Sequence, residues 1–259
     1  MHGLILGLIL ALGSPAALAE EPVLHLAYTD QESPFFVMGN GRDIPAMPGI
    51  AVEIAKSAAK TCGVALRPER FPGGRLLALL ESNAVDSVLM LSFAPERQRI
   101  AVYPMAGDAA DPALQLATLS YAFYVRKGSA VSWDGSALNG ALRPVGANLG
   151  WSIVNDLRNA GIAVETAQDT RNNFNKLLGA RIDAFAIQSS IGDPYLERNG
   201  IDDRIARLEP PISSKPYFQV FSHAWHQAHP DAAACLWREA AALRERDMPA
   251  LLSRYHDSM

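Results

Sequence analysis

Two cysteines, Cys62 and Cys235, are all that 259 residues contain, and no CxxC pair occurs. That excludes a disulfide-dense scaffold and a close-spaced redox or zinc motif. The GxxxxGK phosphate loop and the HExxH helix are also missing, so the usual signatures of nucleotide and zinc-protease sites are not there. Basic runs are lacking and the formal net charge is -4, which argues against nucleic acid as a partner. The longest apolar stretch, Leu4 to Leu12, is too short for a membrane span and is followed by Gly13 and Pro15. What remains is 49% hydrophobic and 19% charged, ample for a packed core and sized between one and two domains.

That apolar stretch leads through small residues to Ala17-Leu18-Ala19 and then Glu20. This is the layout of a secretory signal, with cleavage expected after Ala19 and no cysteine there to carry a lipid. The expected product is a periplasmic chain starting at residue 20. In an oxidising compartment the distant pair Cys62 and Cys235 can form one bridge or stay as two buried thiols, and spacing does not separate these.

Periodicity divides the rest. "VLHLAY" (23 to 28) reads as a strand, followed by a loop rich in Pro, Gly, Asn and Asp. After Gly49, Ile50, Ile54, Ala58 and Cys62 lie close to one helical face, and Gly63 ends the helix. "VALRPERF" (strand), "RLLALLESNA" (helix) and "VDSVLML" (strand) complete a β-α-β-α-β run. A long strand, "LATLSYAFYVRKG" (116 to 128), precedes a second such run from "PVGANLG" to "IDAFAIQ". The tail adds a strand at "YFQVFSHA" (217 to 224) and a helical segment with Leu236, Ala240 and Leu243 as its buried stripe. Alternating strands and helices predict mainly parallel sheets flanked by helices. A tail too short to stand alone has to pack on one of the two units. If it returns to the first, the chain crosses twice between them and leaves a hinged cleft, with ligands expected at the carboxyl ends of the strands.

The stretch "AVDSVLMLSFAPERQRIAVYPM" (84 to 105) resembles the first-lobe signature of the family 3 extracellular solute-binding proteins, the periplasmic receptors of polar amino acid ABC importers. Asp86, Ser92 and Arg97 fall at its positions, with Ala94 where a threonine is usual. "VGANLGWS" (145 to 152) and "LLGARIDAFAIQ" (177 to 188) resemble the second-lobe motifs, and Pro34-Phe35 a loop beside the ligand. The resemblance covers about residues 22 to 250. It implies a two-lobed type II periplasmic-binding-protein fold: signal peptide 1–19, first lobe 20–114 and 210–259, second lobe 115–209. It implies Arg97 as a bidentate clamp on a ligand carboxylate, a geometry the planar guanidinium suits. Ser92 would assist from the same lobe, and Ser152 with the amides after Gly150 from the other.

Four departures shape the expected ligand. Gln188 stands where relatives that bind α-amino acids place the carboxylate that meets the ammonium. Glu32 lies near the position of a stacking aromatic, and either restores that charge or faces solvent. Trp151 replaces a small hydroxylated residue and narrows the pocket, caps it or joins the core. Arg75 heads a helix near the cleft and offers a second cation; Phe35 completes the candidate set.

A carboxylate-bearing solute, amino acid-like or an organic acid, is therefore expected, with an inner-membrane ABC permease or a sensor protein as partner. No cofactor, no metal and a monomer are expected; His223, His226 and His229 lack a close acidic partner. The enzyme alternative is a cyclohexadienyl dehydratase-like activity, with Glu32 or Glu96 as an acid, and no second titratable group sits at a diagnostic spacing.

Overall fold

The computed structural model describes residues 21–257; the signal segment expected at 1–19 lies outside them. Strand β1 (Val23–Thr29), helix α1 (Ile50–Thr61), β2 (Ala65–Phe71), α2 (Leu76–Glu81) and β3 (Ser87–Ser92) form the first run. Two short hairpin strands, β4 (Met105–Ala106) and β5 (Ala109–Ala110), lead to the long β6 (Ala117–Arg126), and β7 (Ser132–Trp133) pairs with β8 (Leu138–Asn139). The second run is β9 (Val145–Asn148), α3 (Ile153–Asn159), β10 (Val164–Ala167), α4 (Thr170–Leu178) and β11 (Ala184–Gln188). It continues into α5 (Ser189–Asn199) and β12 (Ile205–Arg207), and β13 (Ser213–Phe221), α6 (His223–Ala228) and α7 (Pro230–His256) close the chain.

One sheet runs through the molecule in the order β10-β9-β11-β6-β13-β3-β1-β2, with β12 added on β6. Its outer parts, β2-β1-β3 and β10-β9-β11, are parallel. Two central strands are antiparallel to their neighbours. The first half of β6 pairs with β13 from Ala117↔Tyr217 to Tyr121↔Ser213, and its second half pairs with β11. β13 in turn gives its later residues to β3. These two strands are therefore the only sheet connection between the flanking α/β halves among the described residues.

Parallel strands covered on both faces need apolar residues pointing both ways. In β1, Leu24, Leu26 and Tyr28 face the core shared with α1 and α7, while Ala27 faces a second core with Leu76, Leu80 and Val88. The other half repeats this, with Phe123 and Val145 on one side and Phe174 and Phe185 on the other.

Helix α1 packs on α7, and Cys62 is bonded to Cys235 with Cα atoms 5.9 Å apart. The buried face of α7 is wider than a Leu236, Ala240, Leu243 stripe. Leu243 is half-buried, and Ala233, Trp237 and Ala241 are buried as well. The helix packs on α1, and its Trp237 indole donates to the Gln219 carbonyl of the central strand β13 at 2.8 Å. No helix of the described residues is long and apolar enough to cross a membrane.

Candidate functional site

The parallel strands of both halves end at a common cleft, as open α/β sheets dictate. β1 delivers Thr29 and the loop from Gln31 to Ser33; β3 delivers Met90, Leu91 and Ser92. From the other half come Tyr121 on β6, the Gly150–Ser152 turn before α3, and Gln188 at the end of β11. Tyr217 of β13 stands between them. The cavity enclosed in this arrangement is about 100 Å³.

Arg97 sits in a short turn started by Pro95 and is only 9% exposed. Its Nη1 donates to the Ser92 carbonyl at 2.8 Å and to the Ser92 hydroxyl at 3.0 Å. The Tyr103 hydroxyl donates to the same carbonyl, and burial holds that phenol far above its ordinary range, so it stays neutral. Among the described residues no carboxylate lies within ion-pairing distance of Arg97. A buried guanidinium without a counter-charge is costly unless something anionic meets it.

Ser92 reaches this position through an irregularity in β3. Opposite β13 the register passes from Phe218↔Leu91 to Val220↔Val88, so Leu89 and Met90 face the single residue Gln219. Met90 takes the bulge in a left-handed conformation, φ 61°. A bulge of this kind bends the strand end and re-aims the side chains beyond it, here Leu91 and Ser92 toward the cleft.

Opposite lies a buried phenol pair. Tyr121 and Tyr217 hydroxyls are 3.1 Å apart, and Gln188 Nε2 donates to Tyr217 at 2.7 Å and to Tyr121 at 3.4 Å. Burial pushes both tyrosines up, so both remain uncharged at neutral pH. Ser152 is buried, and its hydroxyl accepts from Lys215, whose ammonium is paired with Asp156. Trp151 stands edge-on to Tyr121 at 6.5 Å and also packs into both cores of its half.

The two halves touch across the cleft. Arg198 on α5 donates to both Glu32 oxygens, at 3.3 and 3.2 Å, and Gln31 Nε2 donates to the Gln168 carbonyl at 2.9 Å. At Gly150, φ 79°, an added Cβ would stand 3.0 Å from the Gly74 Cα. Only glycine tolerates that dihedral together with so close a backbone approach.

The structure thus brings Arg97, Ser92, Ser152, Trp151, Gln188 and Glu32 to one cleft. Two expected residues are elsewhere. Arg75 is exposed and does not line the cavity, although Gly73 at the start of the same turn does. Phe35 is turned by its positive φ of 67° onto the core beneath α1. The sequence reading missed Tyr121, Tyr217 and Ser33, the last with a buried hydroxyl that has no partner among the described residues. No motif marks them; the tyrosines look like ordinary strand aromatics until β6 and β13 pair. His223, His226 and His229 contact Gln98, Trp237 and Trp225 respectively, and among the described residues no group of three His, Cys, Asp or Glu is placed to hold a metal.

No family model matches the sequence, and no curated protein does. Solved structures do match. A histidine kinase sensor domain with similarity to periplasmic binding proteins aligns at TM-score 0.71 and 14% identity, over 90% of this chain and 95% of that one. The GluR0 ligand-binding core from Nostoc punctiforme, in complex with L-glutamate, aligns at 0.69 and 16%, over 90% and 99%. The fold is that of the two-lobed periplasmic binding proteins. A substrate-binding protein of an amino acid ABC transporter shares it at TM-score 0.67 and 14% identity, over 90% and 98%. Identities this low establish architecture alone; what the cleft of this two-lobed protein accepts has to come from its own side chains.

Proposed function

We propose that the chain is an exported receptor that holds a small carboxylate-bearing solute between its lobes and presents it to an inner-membrane ABC permease. The observation that carries this reading is Arg97, a buried cation without a carboxylate partner, lining a cleft that both halves enclose. One amino group is fixed on Ser92, which leaves the rest of the planar fork for a bidentate carboxylate. The lobes we assign are 20–114 with 210–259, and 115–209, joined through β6 and β13. Residues 1–19 serve as the cleaved export signal. Contacts from both lobes to one solute favour the closed form by their differential affinity.

A second reading has specific support: a sensor domain of a histidine kinase has the same architecture. The same closure would then report to a membrane sensor. Binding is favoured over catalysis by the cleft's composition. Among the described residues lining the cavity beside Arg97, Glu32 is the one acid, and it is tied to Arg198.

The test is a thermal-shift screen of residues 20–259 against amino acids, organic acids and short peptides, repeated on Arg97→Ala. A solute that binds only the folded state raises Tm by mass action. A carboxylate should stabilise the wild type, and the variant should lose about 2–4 kcal/mol of binding, a factor of roughly 30 to 1,000. If every carboxylate that binds the wild type binds Arg97→Ala equally well, the clamp is wrong.

A further inference from the structure

The charge inventory of the cleft says more about the solute than that it carries a carboxylate. An α-amino acid also brings an ammonium group, which on leaving water needs a negative partner. Among the residues lining the cavity only Glu32 is acidic, and both of its oxygens accept from Arg198 across the cleft. Lys215 and Asp156 neutralise one another and do not line the cavity. The wall facing Arg97 consists of Gln188, Tyr121 and Tyr217, three neutral groups already bonded to each other. The remaining surface includes Leu76, Leu91, Leu119 and Trp151. The site therefore presents one uncompensated positive charge and a neutral, largely apolar remainder. An ammonium held there would be desolvated without a counter-ion and close to a guanidinium of like sign.

The pocket of about 100 Å³ beside Arg97 is half open, and a second space of about 430 Å³ between the halves shares Gln31 and Glu32 with it, so charge and not volume sets the class. We infer that the cleft selects monocarboxylates whose remainder is uncharged, such as 2-oxo or aliphatic acids, and rejects the amino acid of the same skeleton. This rests on the reading of the cleft as a carboxylate receptor with Arg97 as its clamp.

The discriminating experiment compares three probes that differ at one carbon: butyrate, 2-oxobutyrate and 2-aminobutyrate. Each is titrated by calorimetry into residues 20–259, Arg97→Ala and Gln188→Glu. The expected result is that at least one of the two uncharged-remainder acids binds about tenfold or more tighter than 2-aminobutyrate. Arg97→Ala should lose that binding, and Gln188→Glu, which restores an anion to the neutral wall, should shift preference toward 2-aminobutyrate. If 2-aminobutyrate binds as well as or better than the others, the inference falls. Should that binding depend on Arg97, the receptor reading survives. If none of the three binds, the inference also falls. The broader carboxylate screen then decides the receptor reading separately.

Discussion

Met90 shows how much one residue's backbone decides here. A left-handed conformation is unfavourable for a residue with a side chain, yet it lets two residues of β3 face one of β13 and sets Ser92 opposite Tyr217. Arg97 and Ser92 were legible from their spacing in a motif. The Tyr121–Tyr217–Gln188 wall was not, because its partners are up to 96 residues apart and meet only through sheet pairing. Asp183 illustrates the opposite case, a motif residue whose work is structural. Its carboxylate accepts from the Leu142 and Arg143 amides at 2.8 and 2.7 Å and pairs with Arg126 at 3.1 Å. Burial pushes its pKa up, but those hydrogen bonds outweigh it and hold the group below the ordinary carboxylate range. Its stabilising contribution is therefore complete above the unfolded value near 4 and fades as pH falls through the lower folded one. Asp183→Ala should destabilise the protein by about 2–4 kcal/mol at pH 7. Chemical denaturation at pH 7 and pH 3 checks this: the gap between wild type and variant must narrow at the acid pH.

Among the elements, α1 and α7 were readable from periodicity, whereas α5 was not. Its segment contains Gly192 and Pro194, both helix breakers in isolation. Packing overrides them: a side chain at position 192 would collide with Tyr124, whose hydroxyl donates to Asp193 at 2.7 Å. The glycine is therefore what lets α5 lie on β6, and α5 is the helix that carries Arg198 to the cleft. The link between α1 and α7 adds a covalent constraint across a sequence separation of 173 residues. Closing so long a loop restricts the unfolded chain strongly, by roughly 3–5 kcal/mol in the entropic account. Reduction, or the Cys62→Ser/Cys235→Ser pair, should lower Tm by about 6–20 °C for a domain of this size. Scanning calorimetry with and without reductant is the check; an unchanged Tm would mean that the bridge contributes nothing.

For the whole molecule, the question is what holds the halves together over the cleft. β6 and β13 are continuous through both, so they can flex without separating. Among the described residues, the contacts across the mouth of the cleft include Glu32 with Arg198, Gln31 with the Gln168 carbonyl, and the Gly74–Gly150 approach. Arg198 is half exposed, so its ion pair is worth only about 0.5–1 kcal/mol. Arg198→Ala should accordingly weaken carboxylate binding by a modest factor of about 2–5, through a smaller closed population. The charge-swapped pair Glu32→Arg/Arg198→Glu should recover most of it. Equal affinity in wild type and Arg198→Ala would show that the contact does not bias closure.

The sequence by itself determined the local and periodic features: two β-α-β-α-β runs, the amphipathic face of α1, and a guanidinium set five residues from a serine hydroxyl. Each depends on residues within a turn or two of one another, where side-chain spacing maps directly onto a face. Only the tertiary structure decided which charges stay unpaired. Glu32 looked like a free acid until α5 brought Arg198 to it, and Phe35 looked like a cleft residue until its backbone turned it into the core. The neutral wall opposite Arg97 exists only where β6, β11 and β13 lie side by side. Long-range pairing sets the electrostatics of the cleft, and electrostatics sets what it can hold.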